Sequence, residues 1–194
     1  MANPVSGSGA ALLILDMINR LEFPGADRLR PAAEAAADAI LALRDQADAA
    51  GVPVIYCNDN HGDWKDDRAG LVRSASEPGC PGQAIAAKLA PRPDDYFVVK
   101  PQFSGFYATT LPAILPRLGV GRLVLTGLAA DICVLFTAAD AHMREYQLWT
   151  PADAVAGEDP QRTRWALAVM NHAMGAETRP TGELSLAGWR EATR

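Results

Sequence analysis

Cysteine and histidine are both scarce in this chain: 194 residues contain three of each. Cys57, Cys80 and Cys133 are too few for a disulfide framework and too scattered for a CxxC metal motif. Free thiols in a reducing, cytoplasmic setting are therefore expected. Basic blocks are missing, and the formal net charge is -5, which argues against nucleic acid or an anionic membrane surface as a partner. No apolar run approaches the roughly 20 residues that a membrane-spanning helix needs. The opening stretch MANPVSGSGA has no positive n-region and no long apolar segment, so no signal peptide is expected. Repeats, low-complexity tracts and linkers are also absent. A chain of this length suits one domain over 1–194, with a flexible leader at 1–10 and a peripheral helix or arm at 183–194.

What the chain has instead is a series of short apolar runs alternating with helical patterns. Runs at 12–15, 53–57, 96–99, 123–125 and 147–150 read as strands buried on both faces, and 177–179 as a short sixth. Helical spacing or capping marks 32–50, 83–89, 110–118, 131–145 and the stretch from Asp159 to Gly175. The polar stretch 58–81 reads as a long loop, and long ordered loops are usually functional. Strands and helices that alternate without hairpin turns predict a three-layer α/β/α fold around a parallel, Rossmann-like sheet.

In such sheets ligands bind beyond the carboxyl ends of the strands. Asp16 follows the first run, Asn58, Asp59 and Asn60 the second and Lys100 the third. Cys133 stands just past the fourth, in the first turn of a helix, where free N–H groups and the helix dipole favour a thiolate. Each has a plain alternative. Cys133 alone would be a small core thiol, Asp16 a loop or cap hydrogen-bonder, and Lys100 a strand-end lysine bent to solvent. Together they form a Cys-Lys-Asp constellation. Asp16 can take the thiol proton and return it to a leaving amine. Lys100 supplies positive charge, and Cys133 attacks a carbonyl carbon to form an acyl-enzyme. The turn before the helix offers backbone N–H groups, such as those of Ala129 and Cys133, to the oxyanion.

Three segments carry a resemblance to a known family: ALLILDM around Asp16, VVKPQFSGFYATTL around Lys100 and LVLTGLAADICVLFTAADA around Cys133. Over roughly residues 11–178 the chain resembles the isochorismatase-like cysteine hydrolases, which include nicotinamidases, N-carbamoyl amidohydrolases and isochorismatases. The resemblance implies a six-stranded parallel sheet in the order 3-2-1-4-5-6, and a homo-oligomer, dimer or tetramer. It also implies a cis peptide at Leu128–Ala129 that aims the Ala129 N–H into the oxyanion hole. That order places the Lys100 strand away from the Asp16 strand, so the lysine stem has to carry its ammonium to the site.

Two departures narrow the function. Nicotinamidases hold a metal with an Asp-x-His pair and a further downstream histidine. Here Asp59 and His61 give the pair, but no histidine lies between His61 and His142, so a third protein ligand is missing and no metal or cofactor is expected. Isochorismatases that cleave a vinyl ether generally lack the cysteine, whereas Cys133 is present. The expectation is a metal-independent cysteine amidohydrolase acting on a small amide, ureido or carbamoyl compound. An isochorismatase-type vinyl-ether hydrolase, a metal-assisted nicotinamidase and a catalytically silent binding or assembly subunit are the alternatives. Asn60, Trp64 and Phe103 are candidate pocket residues, and the loops at 17–25, 60–82 and 151–159 the candidate walls.

Overall fold

The computed structural model describes residues 7–192. Its centre is a six-stranded sheet in which every pairing is parallel. Strand β1 (Gly9–Leu15) lies between β2 (Val54–Asp59) and β4 (Val120–Leu128), with β3 (Tyr96–Lys100) outside β2 and β5 (Gln147–Trp149) outside β4. The order 3-2-1-4-5 is the expected one.

Two apolar cores, one per face, follow from the period-2 alternation of β1. Ala10, Leu12 and Ile14 pack with the buried stripe of helix α1 (Ala26–Ala49) and with helices α2 (Arg68–Ala75) and α3 (Gln83–Lys88). That stripe is Leu29, Ala33, Ala36, Ile40, Leu43 and Ala47, at helical spacing. Ala11, Leu13 and Leu15 pack against α4 (Leu111–Arg117), α5 (Leu135–His142) and α6 (Pro160–Met174). Alanines make up much of the buried faces of α1 and α5. Among the described residues no helix is long and apolar enough to cross a membrane.

Several sequence expectations need correction. Residues 1–6 of the expected leader lie outside the described residues, and Gly9 and Ala10 already belong to β1. The tail, expected as a peripheral helix or arm, does form a helix, α7 (Leu186–Ala192), which docks on the first core through Leu186 and Trp189. The polar stretch 58–81 contains α2, capped by the Asp67 side chain, which accepts from the Gly70 N–H.

The sixth strand also differs. Residues 177–179 contribute only a single bridge, Glu177 with Trp149. The sheet gains instead β6 (Val155–Ala156), which pairs Gly127 and Leu128 of β4. The reason is length. β4 has nine residues and β5 three, so the upper edge of β4 needs other partners for its buried N–H and C=O groups. The Gly127 N–H donates to the Ala154 carbonyl at 2.9 Å.

Candidate active site

Strand register sets the catalytic end. Leu15 pairs with Cys57 and Gly127, and Asp59 pairs with Lys100. Asp16, Asp59, Lys100 and the start of the helix after β4 therefore stand on one rim. β3 is two strands from β1, about 9–10 Å at the usual interstrand spacing. The Lys100 side chain bridges that gap over β2. Its Nζ lies 2.9 Å from Asp16 Oδ2, 3.3 Å from Asp59 Oδ2 and 3.4 Å from Cys133 Sγ. Lys100 is fully buried, Asp16 nearly so, and Cys133 is partly exposed.

The backbone around this cluster is shaped for it. Asp16 has φ of +53°, a left-handed conformation that a non-glycine residue holds only when its surroundings impose it. Its N–H donates to the Cys57 carbonyl at 3.1 Å, and its Oδ1 accepts from the Asp59 N–H at 2.6 Å. Asn58 is buried one residue earlier. Its Oδ1 accepts from the Ile18 N–H at 3.1 Å, and its Nδ2 donates to the Ile18 carbonyl at 3.0 Å. One side-chain amide thus clamps the segment that follows Asp16.

On the other side, β4 passes so close to β1 that a Cβ at Gly127 would stand 2.0 Å from the Leu15 carbonyl oxygen, and φ there is +107°. Only glycine serves. The chain then turns into a π-helical turn, Ala130–Val134, in which the Val134 N–H donates to the Ala129 carbonyl at 3.2 Å. Such turns are frequent at functional sites because they re-aim side chains within a helix. Here the turn carries Cys133.

The expected cis peptide is absent. Among the described residues no peptide bond is cis, and Leu128–Ala129 is trans. The left-handed Gly127 and the extended Ala129 (φ -84°, ψ 143°) make the bend.

Electrostatics also correct an expectation. Burial pushes the Cys133 thiol up to about 12, reinforced by the Asp16 carboxylate and opposed by Lys100. Desolvation and the nearby carboxylate outweigh the lysine, which favours the thiol form over the thiolate. Burial likewise raises Asp16, against the pull of Lys100, of hydrogen bonds to Cys133 and Lys100, and of the Asp59 N–H. A raised carboxylate is the stronger base. Burial disfavours the Lys100 ammonium, but Asp16, Cys133 and Asp59 outweigh that and its pKa is raised. The arrangement can move a proton from sulfur to Asp16 beside a fixed positive charge.

The other candidates separate. Asn60 lines a cavity of about 390 Å³ together with Ile18, Arg20, Glu22, His61 and Leu71. Its walls begin two residues after Asp16 and one after Asp59. Trp64 is not among its lining residues and is exposed. Phe103 packs instead on Phe136 (ring centroids 5.6 Å apart), and the two line a separate groove with Tyr107.

Asp59 is committed elsewhere than to a metal. Oδ2 faces Lys100, and Oδ1 accepts from the His61 N–H at 2.7 Å. Among the described residues no group of three or more His, Cys, Asp or Glu side chains gathers for a metal ion. The donor set does not fit a resident metal of the nicotinamidase kind.

Sequence pattern points to Asp16, Lys100 and Cys133 but misses Asp59 as a second carboxylate on Lys100, and Asn58 as the clamp. The signal for Asp59 is its place at the end of the 53–57 run, hidden because the polar triplet 58–60 reads as loop. Phe136 is missed because its spacing from Ile132 and Ala139 reads as core.

Comparisons with known proteins bear on the family and the fold. A family model described as isochorismatase domain matches residues 10–181. An uncharacterized isochorismatase family protein of Bacillus subtilis, YaaI, is 38% identical over 173 residues, covering 89% of this chain and 94% of that protein. The isochorismatase of Bacillus subtilis is 32% identical over 162 residues, 81% of this chain, but the match spans about half (51%) of that longer protein. The crystal structure of N-carbamoylsarcosine amidase from Thermoplasma acidophilum superimposes with a TM-score of 0.68 and 29% identity, covering 91% of this chain and 98% of that one.

Proposed function

Because the chain belongs to the isochorismatase family of hydrolases, we propose that it is a metal-independent cysteine amidohydrolase that cleaves a C–N bond of a small amide, ureido or carbamoyl compound. The observation that carries this reading is the convergence of Asp16 and Cys133 on the Lys100 ammonium, within 2.9 Å and 3.4 Å.

In the first step the Cys133 thiol gives its proton to Asp16 while sulfur attacks the carbonyl carbon. Transfer during attack suits a thiol that does not stand ionised at rest. The new oxyanion is received by the Ala129 and Cys133 N–H groups, and Lys100 offsets the negative charge that moves through the site. Asp16 then passes the proton to the nitrogen, the C–N bond breaks and the amine leaves. Water, deprotonated by Asp16, attacks the thioester, and Cys133 regains its proton as the acid departs. Asn60, which lines the cavity that begins just past Asp16 and Asp59, is the proposed substrate-contacting residue.

The likeness to N-carbamoylsarcosine amidase supports C–N chemistry. The likeness to isochorismatase supports a second reading, vinyl-ether hydrolysis with Cys133 incidental. The two separate on one pair of variants. Amide turnover lost in both Cys133→Ala and Asp16→Asn fits the proposal. Isochorismate turnover that survives Cys133→Ala fits the alternative. Self-association, which the family resemblance implies, is read by sedimentation velocity.

A further inference from the structure

The π-helical turn that carries Cys133 also carries a carboxylate. Asp131 sits two residues from Ala129 and two from Cys133, between the two N–H groups assigned to the oxyanion. An anion there works against that assignment, because like charge disfavours charge development. Asp131 is largely withdrawn from water, with 13% of its side chain exposed. Its one ion-pair or hydrogen-bond partner among the described residues is Arg162, whose guanidinium lies 2.5 Å from Oδ2.

Arg162 arrives through the segment that closes the upper edge of β4. Val155 and Ala156 pair with Gly127 and Leu128. Gly157 then runs so close that a Cβ there would stand 3.3 Å from Asp131 Oδ1 and 2.7 Å from Thr163 Oγ1. Asp159 caps α6 by accepting from the Gln161 N–H at 2.7 Å, which sets the first turn of the helix and places Arg162 over the turn.

We propose that Arg162 is a positioning residue for hydrolysis: its ion pair with Asp131 neutralises the carboxylate that the 129–133 turn carries, so that no unpaired buried charge pulls the turn out of place. The inference rests on the reading of that turn as the oxyanion hole. An exposed ion pair contributes little to stability. Removing Arg162 matters for a different reason. It leaves a largely buried carboxylate with no partner, which favours a rearrangement of the turn that carries it.

The test uses the full chain and four proteins: wild type, Arg162→Ala, Arg162→Lys and the double variant Arg162→Ala with Asp131→Asn. Loss of an oxyanion donor costs roughly 10²–10³ in kcat. Displacing donors costs less, so Arg162→Ala is expected to lower kcat about tenfold, with KM changed less than about twofold. Arg162→Lys retains most of the activity. The double variant recovers most of it, since the uncompensated charge is gone, a recovery that a purely structural ion pair does not give. Amide hydrogen exchange over 127–134, read by mass spectrometry, is faster in Arg162→Ala and restored in Arg162→Lys.

Wild-type kcat in Arg162→Ala, or a loss that the double variant leaves unrecovered, would overturn the proposal. If the wild type turns over no amide, the reading of the reaction fails on its own, and exchange decides the role of Arg162. Faster exchange in Arg162→Ala supports it, and equal exchange overturns it.

Discussion

Replacing Lys100 with methionine removes the one buried cation that two carboxylates share. The lysine is fully buried, with Asp16 at 2.9 Å and Asp59 at 3.3 Å. Breaking a buried pair by deleting one partner costs about 3–5 kcal/mol, a large part of the roughly 5–15 kcal/mol that holds a domain folded. At about 2–4 °C per kcal/mol for a chain of this size, the melting temperature should fall by about 6–20 °C.

The loss should also depend on pH in a definite direction. Burial already raises the Asp16 carboxyl above its ordinary value against the pull of Lys100. Removing Lys100 raises it further. A carboxyl whose folded pKa exceeds the unfolded one binds more protons when folded, so stability falls as pH rises through the window above about 4. The variant should therefore be less destabilised at pH 5 than at pH 8, and adding Asp16→Asn should narrow the difference. Urea unfolding at both pH values measures this. A variant as stable as wild type, or one destabilised equally at both pH values, would refute the placement of Lys100 as the shared counter-ion.

Three further outcomes are expected from the same geometry. The rate of Cys133 alkylation by iodoacetamide should keep rising above pH 9.5 without a plateau, because the thiol is held near 12, and stopped-rate peptide mapping reads this directly. Asn58→Ala should leave the Ile18 N–H and carbonyl unpaired and cost about 1–3 kcal/mol, seen in urea unfolding, with a lower kcat because the segment after Asp16 loosens. Gly127→Ala forces a methyl to 2.0 Å from the Leu15 carbonyl oxygen at φ +107°, and should destabilise by about 2 kcal/mol or more, measured as a lower melting temperature.

The parts of the molecule that are legible in the sequence are those governed by local pattern. A continuous apolar run ending abruptly at Asp16 or Lys100 announces a buried strand and a charge at its carboxyl end, and the thiol past the fourth run announces the helix start. What stays hidden depends on partners far apart in sequence. β6 has two residues and exists because the long β4 edge must be satisfied. Asp59 looks like loop because a polar strand end has no apolar signal. The bend before Cys133 is set by Gly127 against Leu15, a contact between residues remote in sequence, and not by an isomerised peptide bond. The thiol's raised pKa arises from burial that the sequence pattern does not report. By contrast, α2 is readable in principle, since Asp67 precedes Leu71, Val72 and Ala75 at capping and helical spacing.

The central claim is that Cys133 becomes acylated. Rapid mixing with a panel of small amides and carbamoyl compounds, followed by acid quench and intact-mass measurement, tests it most directly. Acylation predicts a mass gain equal to the acyl portion, mapped to Cys133, released by hydroxylamine and absent in Cys133→Ala, which also loses turnover. Turnover that persists in Cys133→Ala, with no adduct on the wild-type thiol, would contradict it.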